Sequence, residues 1–210
     1  MRNTKNYIKN WNNPFLKMDS ESRYWLGYIF ADGHIVYDKR RYNVSLFSKN
    51  LEIMQKFQQF IGDKAHLYIR PTGIVQVSYN SKPTVEWFVN FLHISNKKSI
   101  TLNPNIDLDW DILRGYFDGD GSIRLTKQRG KYFRYEAKFT TGSEIWKNRL
   151  VSFLNLEGIK TKVDIKGSAF DINIRNKSNL KKFYYKLYSN ETSKLEYKYN
   201  QFVALFGNKQ

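Results

Sequence analysis

Two aspartates, Asp32 and Asp120, occupy matching surroundings, and paired carboxylates are the groups in this chain best suited to chemistry. The first lies in Trp25-Leu26-Gly27-Tyr28-Ile29-Phe30-Ala31-Asp32-Gly33-His34-Ile35. The second lies in Leu113-Arg114-Gly115-Tyr116-Phe117-Asp118-Gly119-Asp120-Gly121-Ser122-Ile123. Both copies put glycine at the third place, a small residue at the seventh, aspartate at the eighth and glycine at the ninth. Side by side, two carboxylates repel, and one is protonated unless a cation intervenes. A Mg²⁺-type ion would supply that cation, and with bound phosphate oxygens the site would make a phosphodiesterase.

The elements that must position these acids can be read next. Each stretch reads as one short helix, capped by Asp19 or Ser20 in the first copy and by Asp109 in the second. Each is expected to end at a glycine in the left-handed conformation. Gly27 with Ala31, and Gly115 with Gly119, lie one turn apart on one face. Small residues at that spacing remove the bulk that normally keeps helices about 8–10 Å apart, so the two faces can pack backbone to backbone. Asp32 and Asp120 then arrive together at the base of the pair. There each carboxylate opposes the negative end of the helix macrodipole, roughly 0.3–1 kcal/mol unfavourable. An unfavourable placement made twice points to function.

Competing chemistries fail on the residues. Asp118-Gly119-Asp120-Gly121-Ser122 suggests a calcium loop, but Ile123 stands where glycine is needed and Arg129 where the bidentate glutamate belongs. Asp118 has Phe30 as its counterpart, so it is not expected to be required in both copies. His34, His66 and His93 lack zinc spacing, and there is no nucleophile elbow or phosphate-cradling glycine loop.

Around the two helices the same succession of elements recurs. After the first come a hairpin over 34–49, a helix from Leu51 to Ile61 closed by Gly62, a hairpin over 66–79 and a helix from about Pro83 to Leu92. A polar connection covers 96–104. After the second come a hairpin over 122–141 turning around 129–131, a helix over 143–156, a hairpin over 161–175 and a helix over 178–188. A basic stretch 194–198 and a short helix near 200–206 complete it. The expected fold is therefore α/β (α+β), two pseudo-symmetric αββαββα halves with antiparallel saddle sheets and the motif helices at the centre. The expected boundaries are a basic arm at 1–19, a first half at 20–104 and a second at 105–210.

The predicted strands alternate, giving each sheet an apolar face for helices and a polar face. The first polar face carries Arg40, Asn43, Ser45, Tyr68, Arg70, Gln76, Ser78 and Asn80. The second carries Arg124, Thr126, Gln128, Arg134, Lys138, Thr140, Lys162, Lys166, Asn173 and Arg175. Val163 and Ile165 are assigned to the face that packs on helices. Arginine pairs with guanine and Asn or Gln with adenine, and a curved four-stranded sheet can lie along a major groove. The composition agrees: 35 Lys and Arg against 19 acids give a formal net charge of +16, which favours a polyanionic partner. With no cysteine, disulfides, thiolate metal sites and cysteine nucleophiles are excluded, and the chain is expected inside the cell in a reducing compartment. No apolar run reaches membrane-spanning length.

The two motif copies, with the elements from about Ser20 to about Phe206, closely resemble the LAGLIDADG homing endonucleases in the form that carries both motifs on one chain. The resemblance implies a monomer that cuts both strands of a long, asymmetric double-stranded DNA site. It implies Asp32 and Asp120 as metal-binding catalytic acids, with Gly33 and Gly121 beside them. It also implies two or three Mg²⁺ ions, replaceable by Mn²⁺ or Ca²⁺. The family's basic residue near the scissile phosphates maps by position onto Lys98 and Lys198, with Lys97 and Lys194 as alternates. Two other readings keep the fold: a maturase that binds its host intron RNA, and a non-catalytic DNA-binding regulator. The chain neither begins with Ser, Thr or Cys nor ends in His-Asn, so a free-standing enzyme is expected rather than a self-splicing intein.

Overall fold

The computed structural model describes residues 13–95, 97–127, 133–190 and 193–207. At its centre lie α1 (Ser20–Asp32) and α5 (Trp110–Asp120). Asp19 caps α1 by accepting from the Ser22 amide, and Asp109 caps α5 by accepting from the Ile112 amide. Asp109 also accepts from Arg23 at 2.7 Å, joining the start of one helix to the start of the other. The seam between them is made of backbone. A Cβ on Gly27 would stand 2.0 Å from the Ile112 carbonyl oxygen, and one on Gly115 1.8 Å from that of Tyr24. A Cβ on Gly119 would stand 2.3 Å from the Cβ of Ala31. All four small residues lie in this seam.

The helix ends differ from expectation. Gly33 and Gly121 are extended, with φ of −69° and −82°, and are not left-handed. The chain runs from each helix straight into a strand, so no reversal is needed. Glycine is needed here for space, because a Cβ would fall 2.5 Å from the Ile29 carbonyl oxygen at Gly33 and 2.2 Å from the Phe117 ring at Gly121.

The first half continues with β1 (His34–Tyr37), β2 (Tyr42–Ser48), α2 (Leu51–Ile61), β3 (His66–Ile69) and β4 (Val75–Asn80). Next come α3 (Lys82–Glu86), which runs on as a π-helical turn at Trp87–Phe91, and α4 (Lys98–Thr101). The second half repeats the order: β5 (Gly121–Lys127), β6 (Phe133–Thr141), α6 (Glu144–Leu156), β7 (Lys162–Lys166), β8 (Ala169–Ile174), α7 (Lys177–Leu187) and α8 (Glu196–Phe206). Each sheet is antiparallel, in the orders β1-β2-β4-β3 and β5-β6-β8-β7. The molecule thus has two pseudo-symmetric α+β halves. Ser45 pairs with Ser78 and Asn43 with Asn80, while Lys138 pairs with Asn173 and Asp164 with Asp171, so each sheet gathers polar side chains on one face. The other face packs into one apolar core shared with the helices.

Four further departures have simple causes. Residues 13–19 are not a free arm but are anchored on the first half through Phe15. Asn13 caps a 3₁₀ turn at Pro14–Lys17, and Phe15 is fully buried against Phe60 and Phe88. Residues 1–12 lie outside the described part. The polar connection after α3 contains the one-turn helix α4, and α8 begins four residues before the expected start, so each brings its lysine onto a helix. Val163 and Ile165 are 36% and 73% exposed, not packed on helices. They lie on the edge strand β7, while α6 and α7 cover β6 and β8.

Candidate active site at the helix pair

Asp32 and Asp120 are the last residues of α1 and α5, and the seam that joins the helices brings them together. A Cβ on Gly119 would lie 3.6 Å from Asp32 Oδ2. Both carboxylates open to solvent. Packing beneath them partly desolvates both and raises both above the ordinary carboxylate range. Asp120 is pushed to about 6 by that desolvation and then by the charge of Asp32, against the pull of Lys98 and Lys198.

The lysines reach the same point from the first turns of α4 and α8. Lys98 Nζ donates to the carbonyls of Phe30, at 3.0 Å, and Ala31, in the last turn of α1. Lys198 Nζ donates to the carbonyls of Phe117 and Asp118, both at 2.7 Å, in the last turn of α5. Each ammonium thus neutralises the negative end of a motif helix while facing the acids. Lys98 is half-buried and Lys198 is buried. Burial lowers the pKa of both, to about 8 for Lys198, and the neighbouring aspartates partly offset it. Lys97 is exposed, and Lys194 lies 3.9 Å over the Tyr199 ring, so neither alternate occupies this position.

The donor set suits a hard cation. Two carboxylates face each other with raised pKa values, a repulsion that a divalent ion relieves. Among the described residues no group of three or more His, Cys, Asp or Glu converges. A site with two carboxylates and otherwise external oxygens is the kind that Mg²⁺ accepts, since it keeps waters and takes substrate phosphates.

Asp118 was set aside in the sequence because its counterpart is Phe30, yet it is built into this site. It is 2% exposed, and its Oδ2 accepts from Tyr24 Oη at 2.9 Å and from the Leu195 amide at 2.7 Å. A recess of about 440 Å³ is lined by Tyr28, Asp32, Phe47, Asp118 and Tyr197, among others. The tyrosines carried no sequence signal, because aromatics at helical spacing read as core.

The polar sheet faces are unlike each other. On the first, Arg70 donates to Gln76 at 2.8 Å and lies 4.9 Å over Phe47, while Tyr68 is 59% exposed. Arg40 and Asn80 are exposed, and Gln76, Ser78 and Asn43 half-exposed; Arg40, Asn43 and Asn80 help line a recess of about 480 Å³. No acid occurs in β1–β4. The second face includes Glu136, Asp164 and Asp171. Asp171 accepts from Lys138, Lys166 and Thr140, and Arg175 bridges Glu136 and Asp164. Lys162 approaches Asp164 at 3.4 Å, and Arg124 is exposed.

Two predicted contacts are not open to a ligand. Ser45 is buried and donates to Asn43, and Asn173 is buried with its amide donating to Asp164 and to the Lys162 and Asp171 carbonyls. Their short side chains lie mid-sheet, where neighbouring strands satisfy them. Thr126 and Arg134 pair in register on β5 and β6, and Gln128 lies outside the described residues.

Comparison with known proteins agrees with the fold. Residues 108–188 match the family model described as a LAGLIDADG-like domain. In structure, the chain resembles the I-LtrWI LAGLIDADG homing endonuclease bound to target DNA, with a TM-score of 0.65 and 13% identity over 89% of each chain. The LAGLIDADG meganuclease I-AabMI bound to uncleaved DNA gives a TM-score of 0.65 and 11% identity, covering 92% of this chain and 90% of that one. I-SmaMI bound to an uncleaved DNA target in the presence of calcium ions gives 0.63 and 12%, covering 91% and 88%. In sequence, the chain is 27% identical over 157 residues to the DNA-directed RNA polymerase subunit Rpo1C of Methanocaldococcus jannaschii, covering 70% of this chain. It is 26% identical over 160 residues to a DNA polymerase of Thermococcus aggregans, again covering 70% of this chain. The matches span 17% and 8% of those two relatives, so the chain corresponds to a small part of each.

Proposed function

Starting from a chain that has the two-motif fold of the single-chain LAGLIDADG endonucleases, with a LAGLIDADG-like domain at residues 108–188, we propose that it is a site-specific DNA endonuclease. It binds a long, asymmetric double-stranded site through both sheets and hydrolyses both strands at Asp32 and Asp120. The observation that carries this reading is the pairing itself: two acids at the foot of one helix seam, each helix end met by a lysine.

Asp32 and Asp120 would hold a divalent cation, Mg²⁺ or a substitute such as Mn²⁺ or Ca²⁺, at the mouth of the site. Bound there, it would supply Lewis-acid chemistry toward the scissile phosphate, an attacking water and the leaving oxygen. The chain's own groups do the rest. An ammonium has three donors, and two on each lysine go to helix carbonyls. On the half-buried Lys98 the third is left for a phosphate oxygen, while the buried Lys198 acts through its charge, so both are fixed positive charges that stabilise the phosphorane-like transition state. The net charge of +16 steers the chain to DNA, and the unlike sheets favour a target that is not a palindrome. One chain supplies both halves, so a monomer suffices. With no cysteine to oxidise, it suits a reducing intracellular compartment.

A plasmid library with randomised inserts, incubated with Mg²⁺ and either wild type or the Asp32→Asn/Asp120→Asn double mutant, tests this directly. Cutting at one long site, lost in the mutant, is expected. Tight binding to DNA without cutting would leave a regulator, and preference for folded intron RNA would leave a maturase.

A further inference from the structure

The two halves of the site break their symmetry at one position. Where α5 carries Asp118, α1 carries Phe30, whose ring packs edge-on to Trp146 at 5.9 Å. A phenyl ring offers no acceptor, whereas Asp118 holds the loop before α8. Its Oδ2 accepts from the Leu195 amide, and Leu195 is the N-cap residue of α8 but has no side chain able to cap. Asp118 therefore supplies, from another helix, the acceptor for the N-cap amide that an acid at the third helical position supplies in a capping box, a place taken here by Lys198. Lys198 lies in the first turn of α8 and donates back to the Phe117 and Asp118 carbonyls. One joint thus fixes both the end of α5 and the start of α8.

Neighbouring contacts brace the same loop. Ser193 donates to Glu21 through its amide and hydroxyl, and its carbonyl accepts from Arg114 Nε. Tyr24 Oη from α1 completes the hold on Asp118. In the first half the matching segment is tied within itself: Ser95 Oγ bonds Thr101 Oγ1 and accepts from the Lys97 amide. Asp118 Oδ1, buried without a partner among the described residues, is retained although an apolar residue serves at the matching place.

We propose that Asp118 is a positioning residue for Lys198, so that the two halves of the catalytic site are unequal and one of the two strand cuts depends on a carboxylate that the other does not use. This rests on the endonuclease reading above. Catalysis is sensitive to small displacements of a charge aimed at the reacting phosphate, which makes loss of the anchor visible in rate before it is visible in binding.

The test is strand-specific cleavage of a target labelled differently on each strand. Lys198→Met and Lys98→Met first identify the strand that each lysine serves. Asp118→Ala is expected to slow the Lys198 strand on the order of 10- to 100-fold while the other strand and target affinity stay near wild type. Nicked product should then accumulate. Asp118→Asn, which keeps an acceptor for the Leu195 amide, should recover much of the rate. Equal slowing of both strands, or of neither, overturns the proposal. Amide hydrogen exchange on the same variants reads the anchor without any cleavage: Asp118→Ala should lose protection at Leu195 and the start of α8 while α1 and α5 keep theirs. Unchanged exchange there overturns the positioning role whether or not the protein cuts DNA. Lost protection in Asp118→Ala, beside a wild type that cuts nothing, would uphold the anchor and sink the endonuclease reading instead.

Discussion

At the scale of single residues, the acids divide by what surrounds them. Asp32→Asn or Asp120→Asn should abolish double-strand cleavage and leave DNA affinity largely intact, measured by gel cleavage beside a binding titration. Asp120 is pushed to about 6, so a proton competes with the cation, and metal-dependent cleavage should decline as pH drops below about 6. Asp118 gives a separate test. Its carboxyl rises from 3.8 to about 6, chiefly through burial, so the folded chain binds a proton more tightly than the unfolded one. That stability is complete below the unfolded value and is lost as pH climbs through the folded one. The shift is worth on the order of 3 kcal/mol. Asp118→Asn does not ionise, so in urea melts its stability should gain on wild type between about pH 4 and pH 6 and hold the gain above. The motif acids were legible because they recur in register. Asp118 was not, because the repeat itself argued against it, and its partners, Tyr24 and a backbone amide, come from distant parts of the chain.

At the scale of elements, glycine spacing alone located the helix seam, and the seam explains the spacing. Gly115→Ala puts a methyl group 1.8 Å from a backbone carbonyl that can yield only if the helices separate. A loss of about 1–3 kcal/mol or more is expected in thermal or denaturant melts, and an unchanged midpoint would contradict the seam. Strand alternation was equally readable, but it could not say which strands lie at an edge, so Val163 and Ile165 were assigned to a core that does not reach them. Nor could it show that the second polar face is charge-paired within itself. Among the described residues Arg70 has neutral partners, Gln76 and the Phe47 ring, while Lys138 is paired to the buried Asp171. Arg70→Ala should therefore lower the slope of log affinity against log salt by about 1 if it meets a phosphate, and Lys138→Ala by clearly less.

At the scale of the whole molecule, charge sets the association. Affinity should fall by about 10³–10⁵ between 50 and 200 mM salt if roughly 6–10 phosphates are contacted. A flat response would mean that the basic surface is not the binding surface. The duplicated order of elements made the overall architecture readable from sequence, because a repeated unit constrains both its copies. What repetition hides is how the copies have come to differ. Across the seam, Arg23 meets Asp109, Glu21 meets Ser193, and Tyr24 meets Asp118, each pair joining one half to the other. The last of these cannot form between two copies of the same half in the same registry, because the matching places hold Ile112 and Phe30. If the chain were severed between α4 and α5, the halves would select one another over their own copies, behaving as a split protein with built-in partner choice. The covalent link then serves mainly to keep two non-identical partners at equal stoichiometry, which leaves each sheet free to diverge without the other.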